Sequence, residues 1–235
     1  MIPKKIHYCW FGGNPLPDKA KKCIASWKNF CPDYEITEWN EENFNVCQNA
    51  YLKWCYDHKK WAFLSDYARL LIISEYGGIY FDTDVELIRN PEHLFQFDAF
   101  YGFEDQSHIN TGLGFGAVPH HQTVEAMKKM YSQILPDAQG NFDLIGCPQL
   151  NTDALLPLGL CLDGSLQNIC GAKILPVEYL NPYDDPTGRL NKTDNTISIH
   201  WFSKSWMSKK EVTRSVLMKP LHRIFGVDAF ARFRK

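Results

Sequence analysis

The sequence predicts an α/β fold: a mostly parallel central sheet flanked by helices, followed by a small helical tail. Three observations carry this. Short apolar segments alternate with helical ones through the first 90 residues, the pattern of βαβ units. A strongly apolar helix ends at Gly77-Gly78 and runs straight into a buried strand. The last thirty residues change character and become basic.

In chain order, Lys5 to Phe11 (KIHYCWF) reads as a first strand ended by Gly12-Gly13. Asp18 to Phe30 reads as a helix, with Ala20, Cys23, Ile24 and Trp27 on one side. Tyr34 to Trp39 alternates like a strand, and Asn43 to His58 reads as helical. Ala62 to Tyr76 is a helix that Gly77-Gly78 terminates, because glycine accepts the backbone angles of a helix end. The strand IYF then leads into Asp82-Thr83-Asp84. Ala99 to Phe103 and Gly112 to Ala117 read as short strands, and Thr123 to Leu135 as a helix. Pro136 to Asp194 is rich in Pro, Gly and Asn and reads mainly as loops with short elements. Thr196 to Trp201 is a late strand, and one or two helices follow.

Composition bounds the function. The chain has 235 residues, enough to bury a core, with 45% hydrophobic and 22% charged residues, the balance of a globular protein. A net charge of -2 argues against nucleic acid as a general partner. Between Lys204 and Lys235, however, nine Lys/Arg face two Asp/Glu, so a basic tail follows an acidic body. No CxxC occurs among the eight Cys, which disfavours a zinc ribbon or a thioredoxin-type motif. No run of about 18 apolar residues and no cleavable leader is evident. The expected location is the cytoplasm, with free thiols and a peripheral place on the inner face of the cell membrane.

The chemistry concentrates at Asp82 and Asp84. On a strand, residues two apart project to one face, so both carboxylates are expected to leave the strand end together while Ile79, Phe81 and Val85 face the other way. Converging carboxylates repel each other and call for a cation; oxygen ligands suit Mn²⁺ or Mg²⁺. Such an ion could bridge the phosphates of a nucleotide-sugar and stabilise the departing diphosphate. Read alone, the pair also suits two acids of a surface turn. In the preceding helix, Ser65, Asp66 and Arg69 stand among apolar residues, where polar groups usually have partners or a task.

The string S-D-x-x-R, an apolar helix, then Y-G-G-I-Y-F-D-T-D resembles the signature of DxD-containing sugar transferases of glycosyltransferase family 32. That family includes bacterial capsule and surface-polysaccharide transferases and fungal mannosyltransferases, and is distantly similar to the clostridial glucosylating toxins. Ile2 to His7 followed by Trp10-Phe11-Gly12-Gly13 resembles its opening strand. Asn110 to Pro119 and Gly146 to Thr152 resemble its acceptor-side segments, and His200-Trp201 and Ser205-Trp206 its closing motif.

The resemblance implies a GT-A fold, a nucleotide-sugar-binding α/β sandwich, over residues 1–206, with 207–235 an amphipathic basic tail outside it. It implies transfer of a hexose from a nucleotide-sugar, a UDP-sugar first among candidates, to a saccharide acceptor, including a lipid-linked one, with retention at the anomeric carbon. Capsular polysaccharide or lipopolysaccharide assembly is the expected setting. Asp84 would be the principal metal ligand, with Asp82 contacting ribose, sugar or metal and His200 a third ligand or diphosphate contact. Asp66 and Arg69 would hold donor-sugar hydroxyls and Trp10 would stack on the base. Ser65, Tyr80, Ser205 and Trp206 complete the donor side. In the toxins a residue separates the Ser and Trp that are adjacent here, so the correspondence of Ser205 and Trp206 is loose.

No residue stands out as a covalent nucleophile; Asn110, Asp143 and Gln149 are the polar candidates near the anomeric carbon, the latter two on the acceptor side. Two other readings compete: a haloacid-dehalogenase-type Mg²⁺ phosphohydrolase, which also uses D-x-D but with Thr or Val where this chain has Glu86, and a non-catalytic nucleotide-sugar-binding module. The mixture of Leu, Ile, Phe and Met with Lys and Arg in the tail suits an anionic membrane surface as partner.

Overall fold

The computed structural model describes residues 1–204, 207 and 209–227, without the side chain of Lys209. In chain order the elements are β1 (Lys5–Cys9), α1 (Asp18–Phe30), β2 (Glu35–Trp39), α2 (Ala50–Asp57), α3 (Trp61–Tyr76), β3 (Gly78–Tyr80), β4 (Val85–Leu87), β5 (Ala99–Gly102), β6 (Phe115–Ala117), α4 (Gln122–Ser132), α5 (Cys147–Leu155), β7 (Gln167–Ile169), β8 (Ala172–Leu175), α6 (Val177–Leu180), β9 (Tyr183–Asp184), β10 (Arg189–Leu190), β11 (Ser198–His200) and α7 (Lys209–Phe225).

Seven strands form one sheet in the order β2-β1-β3-β6-β5-β8-β7. β1 pairs parallel with β2 and β3, and β5 parallel with β8; β6 is antiparallel to β3 and β5, and β7 to β8. Strands β2, β1, β3, β5 and β8 therefore share one direction, and only β6 and β7 run against it. β4 stands outside this sheet and pairs antiparallel with β11.

The sheet has a core on each face. Leu64, Tyr67, Ala68, Ile72 and Ile73 of α3 pack with Tyr80, Tyr101 and Phe115 on one side. Trp27 of α1 packs with Ile6, Tyr8, Ile79, Phe81 and Val85 on the other. Burial on both faces is why these strands read as near-continuous apolar runs. Gly78 is required by proximity: a Cβ there would lie 2.8 Å from the Lys5 carbonyl oxygen, and its φ is +101°. Its neighbour Gly77, φ +62°, turns the chain out of α3. His7 locks this turn, with Nε2 3.0 Å from the Gly77 carbonyl oxygen while Nδ1 accepts a hydrogen bond from Trp39 Nε1 at 3.1 Å.

One expectation is corrected. Residues 43–49 are not helical, and α2 starts only at Ala50. Asparagines divert the backbone there: Asn43 Oδ1 accepts from the Asn40 amide, Asn45 Oδ1 from the Cys47 amide, and Asn49 caps α2 by accepting from the Leu52 amide. The stretch 136–194, read mainly as loops with short elements, has that character, and its short elements include α5 and two strands of the main sheet, β7 and β8. No described helix is long and apolar enough to cross a membrane.

Candidate active site

In a parallel sheet, ligands gather beyond the carboxyl ends of the strands. Trp10 follows β1, Asn40 follows β2, and Phe81-Asp82 follow β3, so three loops open onto one edge. The antiparallel strand β6 begins at that same edge, bringing in Asn110 to Leu113 just before it.

Asp82 and Asp84 do not lie on a continuing strand. They occupy a tight turn closed by a hydrogen bond from the Val85 amide to the Asp82 carbonyl oxygen, 3.0 Å. The two carboxylates still converge, through the turn rather than through strand alternation. Ile79, Phe81 and Val85 all enter the α1-side core, as expected. Pairing of β4 with β11 sets His200 opposite Val85. Ligand atoms of Asp82, Asp84 and His200 all lie within 4.8 Å of one another. His200 Nε2 is 3.1 Å from Asp84 Oδ1, and the other Asp84 oxygen accepts from the Ser203 amide at 2.6 Å.

Burial opposes both charges of this pair. Even so, the His200 imidazole holds Asp84 well below the usual carboxylate range, and Asp84 in turn raises His200. His200 Nδ1 is buried with no hydrogen-bond partner among the described residues. Two carboxylates and an imidazole are a donor set that fits a divalent ion, with the nitrogen favouring Mn²⁺ over Mg²⁺.

Arg69 organises the other side of Asp82. It is 2% exposed, and its Nη2 lies 2.9 Å from Asp82 Oδ1 and 2.9 Å from Asp66 Oδ1. Tyr80 donates to the same Asp82 oxygen at 3.1 Å, its ring centroid 4.9 Å from the guanidinium carbon. Burial pushes the Asp66 carboxyl up to about 6 against the pull of Arg69, and burial likewise raises Asp82. The two acids of the motif are thus driven in opposite directions.

Asn110 joins the same cluster. Its Oδ1 accepts from the Gly112 amide at 2.6 Å and from the Cys147 thiol at 3.3 Å, and its Nδ2 donates to the Glu104 carboxylate. Gly112 is the close approach that permits this: a Cβ there would meet Asp82 Oδ2 at 2.5 Å, Asn110 Oδ1 at 3.0 Å and Arg69 Nη1 at 3.2 Å. Thr111, Cys147 and Asn151 line the far side of Arg69. Its Nη1 is 3.4 Å from Thr111 Oγ1 and 3.6 Å from the Cys147 sulfur, and Asn151 donates to Thr111 at 3.0 Å.

Beyond the β1 and β2 ends lies an open cleft of about 790 Å³ lined by Trp10, Gly12, Asn14, Asn40, Tyr56 and Trp61, among others. Trp10 is half-buried, its indole donating to the Asn14 carbonyl oxygen at 2.6 Å. Glu41 props the Gly12 turn by accepting from its amide at 2.6 Å.

These residues agree in kind with a known family. Residues 17–101 match the glycosyltransferase sugar-binding region containing the DXD motif. The first part of the chain thus carries a glycosyltransferase-type DXD region. The chain is 32% identical over 119 residues to inositol phosphoceramide mannosyltransferase 3 of Schizosaccharomyces pombe, an overlap covering 48% of this chain and 33% of that protein. It is also 32% identical over 123 residues to the Homo sapiens alpha-1,4-N-acetylglucosaminyltransferase, covering 50% of this chain and 32% of that one. The matches thus take in about a third of each curated relative. The fold is similar to that of the PaToxG glycosyltransferase, at 20% identity and a TM-score of 0.50, over 66% of this chain and 68% of the other.

Not every anticipated side chain meets the Asp82 cluster. Ser65 donates back to the Ala62 carbonyl oxygen at 2.8 Å inside α3. Gln149 is exposed on α5 and donates to Asp153 at 2.9 Å, and Asp143 is exposed in the loop before α5. No hydrogen bond ties either one to Asp82 or Asp84. Ser205 and Trp206 lie outside the described residues. Gly112, Cys147 and Asn151 fall in the two segments that resemble the family's acceptor side but were not singled out individually; Glu104 and Trp61 were not anticipated. Trp61 stands at the start of the recognised helix, Glu104 lies in a loop, Gly112 in a single 3-10 turn, and Cys147 and Asn151 on the short helix α5, without periodicity to mark them.

Proposed function

We propose that this protein is a metal-dependent glycosyltransferase that moves a hexose from a nucleotide-sugar, UDP-sugars being the first class to test, onto a saccharide acceptor with retention of configuration. The observation that carries the reading is the convergence of Asp82, Asp84 and His200 within 4.8 Å at a strand end of this fold. These three residues would hold Mn²⁺, which when bound supplies positive charge against the diphosphate leaving group.

The remaining work falls to the chain's own groups. Arg69, fixed between Asp66 and Asp82, orients both carboxylates, so that Asp66 and Asp82 accept donor hydroxyls in a set geometry. The aromatic face of Trp10 stacks on the base in the adjoining cleft. Asn110, held by Glu104, Gly112 and Cys147, presents its amide beside Asp82, where the anomeric carbon would lie. No carboxylate is proposed as a covalent nucleophile; front-face attack, with the acceptor proton passing to the departing phosphate oxygen, keeps the anomeric configuration.

Assembly of a surface polysaccharide such as a capsule or lipopolysaccharide, on a lipid-linked acceptor, is the proposed setting. A relative named for action on inositol phosphoceramide supports an acceptor carried on lipid. The test is hydrolysis of a panel of nucleotide-sugars with and without Mn²⁺. Turnover of one donor that requires Mn²⁺ and disappears in Asp84→Asn is expected, with the released sugar keeping its anomeric configuration by NMR. Turnover unchanged in Asp84→Asn, or an inverted product, would overturn the corresponding part of the reading.

A further inference from the structure

Helix α7 is amphipathic in the wrong sense for a helix that packs on its own domain. On a wheel of 3.6 residues per turn, Ser215, Lys219, His222 and Arg223 share one side, and that side faces the protein. Lys219 Nζ donates to Tyr183 Oη at 2.7 Å and lies 3.0 Å from Asp185 Oδ1. His222 Nδ1 is 3.0 Å from the Pro186 carbonyl oxygen, and Arg223 Nη2 donates to the Gly188 carbonyl oxygen at 2.7 Å. Ser215 accepts from Lys204. The inner face is therefore polar, docked on the hairpin of β9 and β10.

The opposite side carries Leu217, Leu221 and Ile224, together with Lys210 and Arg214. Leu217 is 69% exposed and Ile224 73%, with Leu221 exposed beside them. A shallow groove bounded by Lys210, Thr213, Arg214, Leu217 and Met218 runs along this face. A row of large apolar side chains turned to solvent, at helical spacing and with cations beside it, is not what a solvated face looks like. Apolar groups at the centre with Lys and Arg at the margin match the boundary between acyl chains and anionic headgroups.

We propose that the outward face of α7 docks on an anionic phospholipid bilayer, with Leu217, Leu221 and Ile224 entering the headgroup–acyl boundary and Lys210 and Arg214 meeting lipid phosphates. Lys204, Lys219 and Arg223 are held inward by Asp185 and by backbone carbonyls, and the six other Lys/Arg from Lys204 to Lys235, against two Asp/Glu, favour an anionic surface over a second copy of the same basic segment. The inference goes beyond the transfer reaction and stands without it.

The test is flotation of the full chain with vesicles of phosphatidylcholine alone or mixed with phosphatidylglycerol. Binding to the anionic vesicles is expected to exceed that to neutral ones by about tenfold, and to fall by about tenfold in Leu217→Glu/Ile224→Glu. About 1 M salt is expected to weaken it as well. Both side chains are exposed, so the variant should keep its thermal midpoint; Leu217→Ser/Ile224→Ser, a milder change, provides a second check. Equal recovery with the two vesicle types, or undiminished binding by both variants, overturns the proposal. So does a dimer by light scattering that the variants turn into monomer while no vesicles are bound. Donor hydrolysis in vesicle-free solution is read separately and should match in wild type and variants, so failure of the membrane inference is distinguishable from failure of the transferase reading.

Discussion

His200 reaches Asp84 because β11 lies antiparallel to β4, which sets His200 opposite Val85, the residue after Asp84. The 3.1 Å contact therefore depends on a strand pair outside the main sheet. Removing either partner should strike metal binding before it strikes the fold. Loss of an outer-shell partner in metal sites costs about 10–100-fold in affinity, and His200→Ala should lose at least as much for Mn²⁺. Asp84→Asn should lose more, together with donor hydrolysis. Calorimetric titration of Mn²⁺ measures both, and an unchanged affinity in His200→Ala would remove it from the ligand set.

Arg69 should behave as a structural centre as well as a donor-site residue. Arg69→Leu would leave Asp66 and Asp82 facing each other without a cation, which in buried pairs costs about 3–5 kcal/mol. Arg69→Lys keeps the charge but has no planar fork to span two carboxylates, so it should lose less. Urea unfolding of the two variants orders them; equal losses would show that charge is not what Arg69 contributes.

His7 predicts an acid-sensitive fold. Burial is the main cause that lowers its pKa from 6.5 to about 4. Protonation would also place a hydrogen on Nδ1, which accepts from Trp39. A depressed histidine means the unfolded chain binds the proton first. Its contribution is thus fully present above pH 6.5, fades as pH falls below that value, and has cost about 3 kcal/mol by pH 4. His7→Gln should flatten the stability profile across this window. A slope unaltered by the substitution would place the acid sensitivity elsewhere.

Trp10 should matter for the nucleotide and little for the metal. Trp10→Ala is expected to weaken nucleoside diphosphate binding by about 1–3 kcal/mol, up to two powers of ten in Kd, with Mn²⁺ affinity and thermal midpoint nearly unchanged. Equal loss of nucleotide and metal binding would point instead to collapse of the strand end.

Much of this was legible in the chain itself, for reasons that differ by element. Helix α3 and strand β3 were readable because long apolar periodicity and the Gly77-Gly78 break are strong local signals. Asp82 and Asp84 were found for the same reason, although the turn geometry that joins them was not. The asparagines at 43, 45 and 49 defeated the helix reading because side-chain bonds to the backbone compete with helical ones. β7 and β8, of three and four residues, are too short to show a period. The segments that hold Gly112, Cys147 and Asn151 were marked by resemblance, but that these residues and Glu104 gather around Arg69 and Asn110 is a matter of tertiary packing, which no local pattern announces. The tail's composition suggested a membrane, but only the docked hairpin shows which side of α7 is left outward.

The placement of β11 also bears on how the protein comes off the ribosome. Residues 17–101, the stretch that matches the family, contain both acids of the motif but not His200. A nascent chain could therefore pack α1, α3 and the first parallel strands while the third corner of the cluster was still untranslated. The cluster of Asp82, Asp84 and His200 is completed only when the late β11 strand adds itself to β4. A prematurely terminated product lacking that strand would still carry the whole matched region, yet the three-residue cluster would be unfinished.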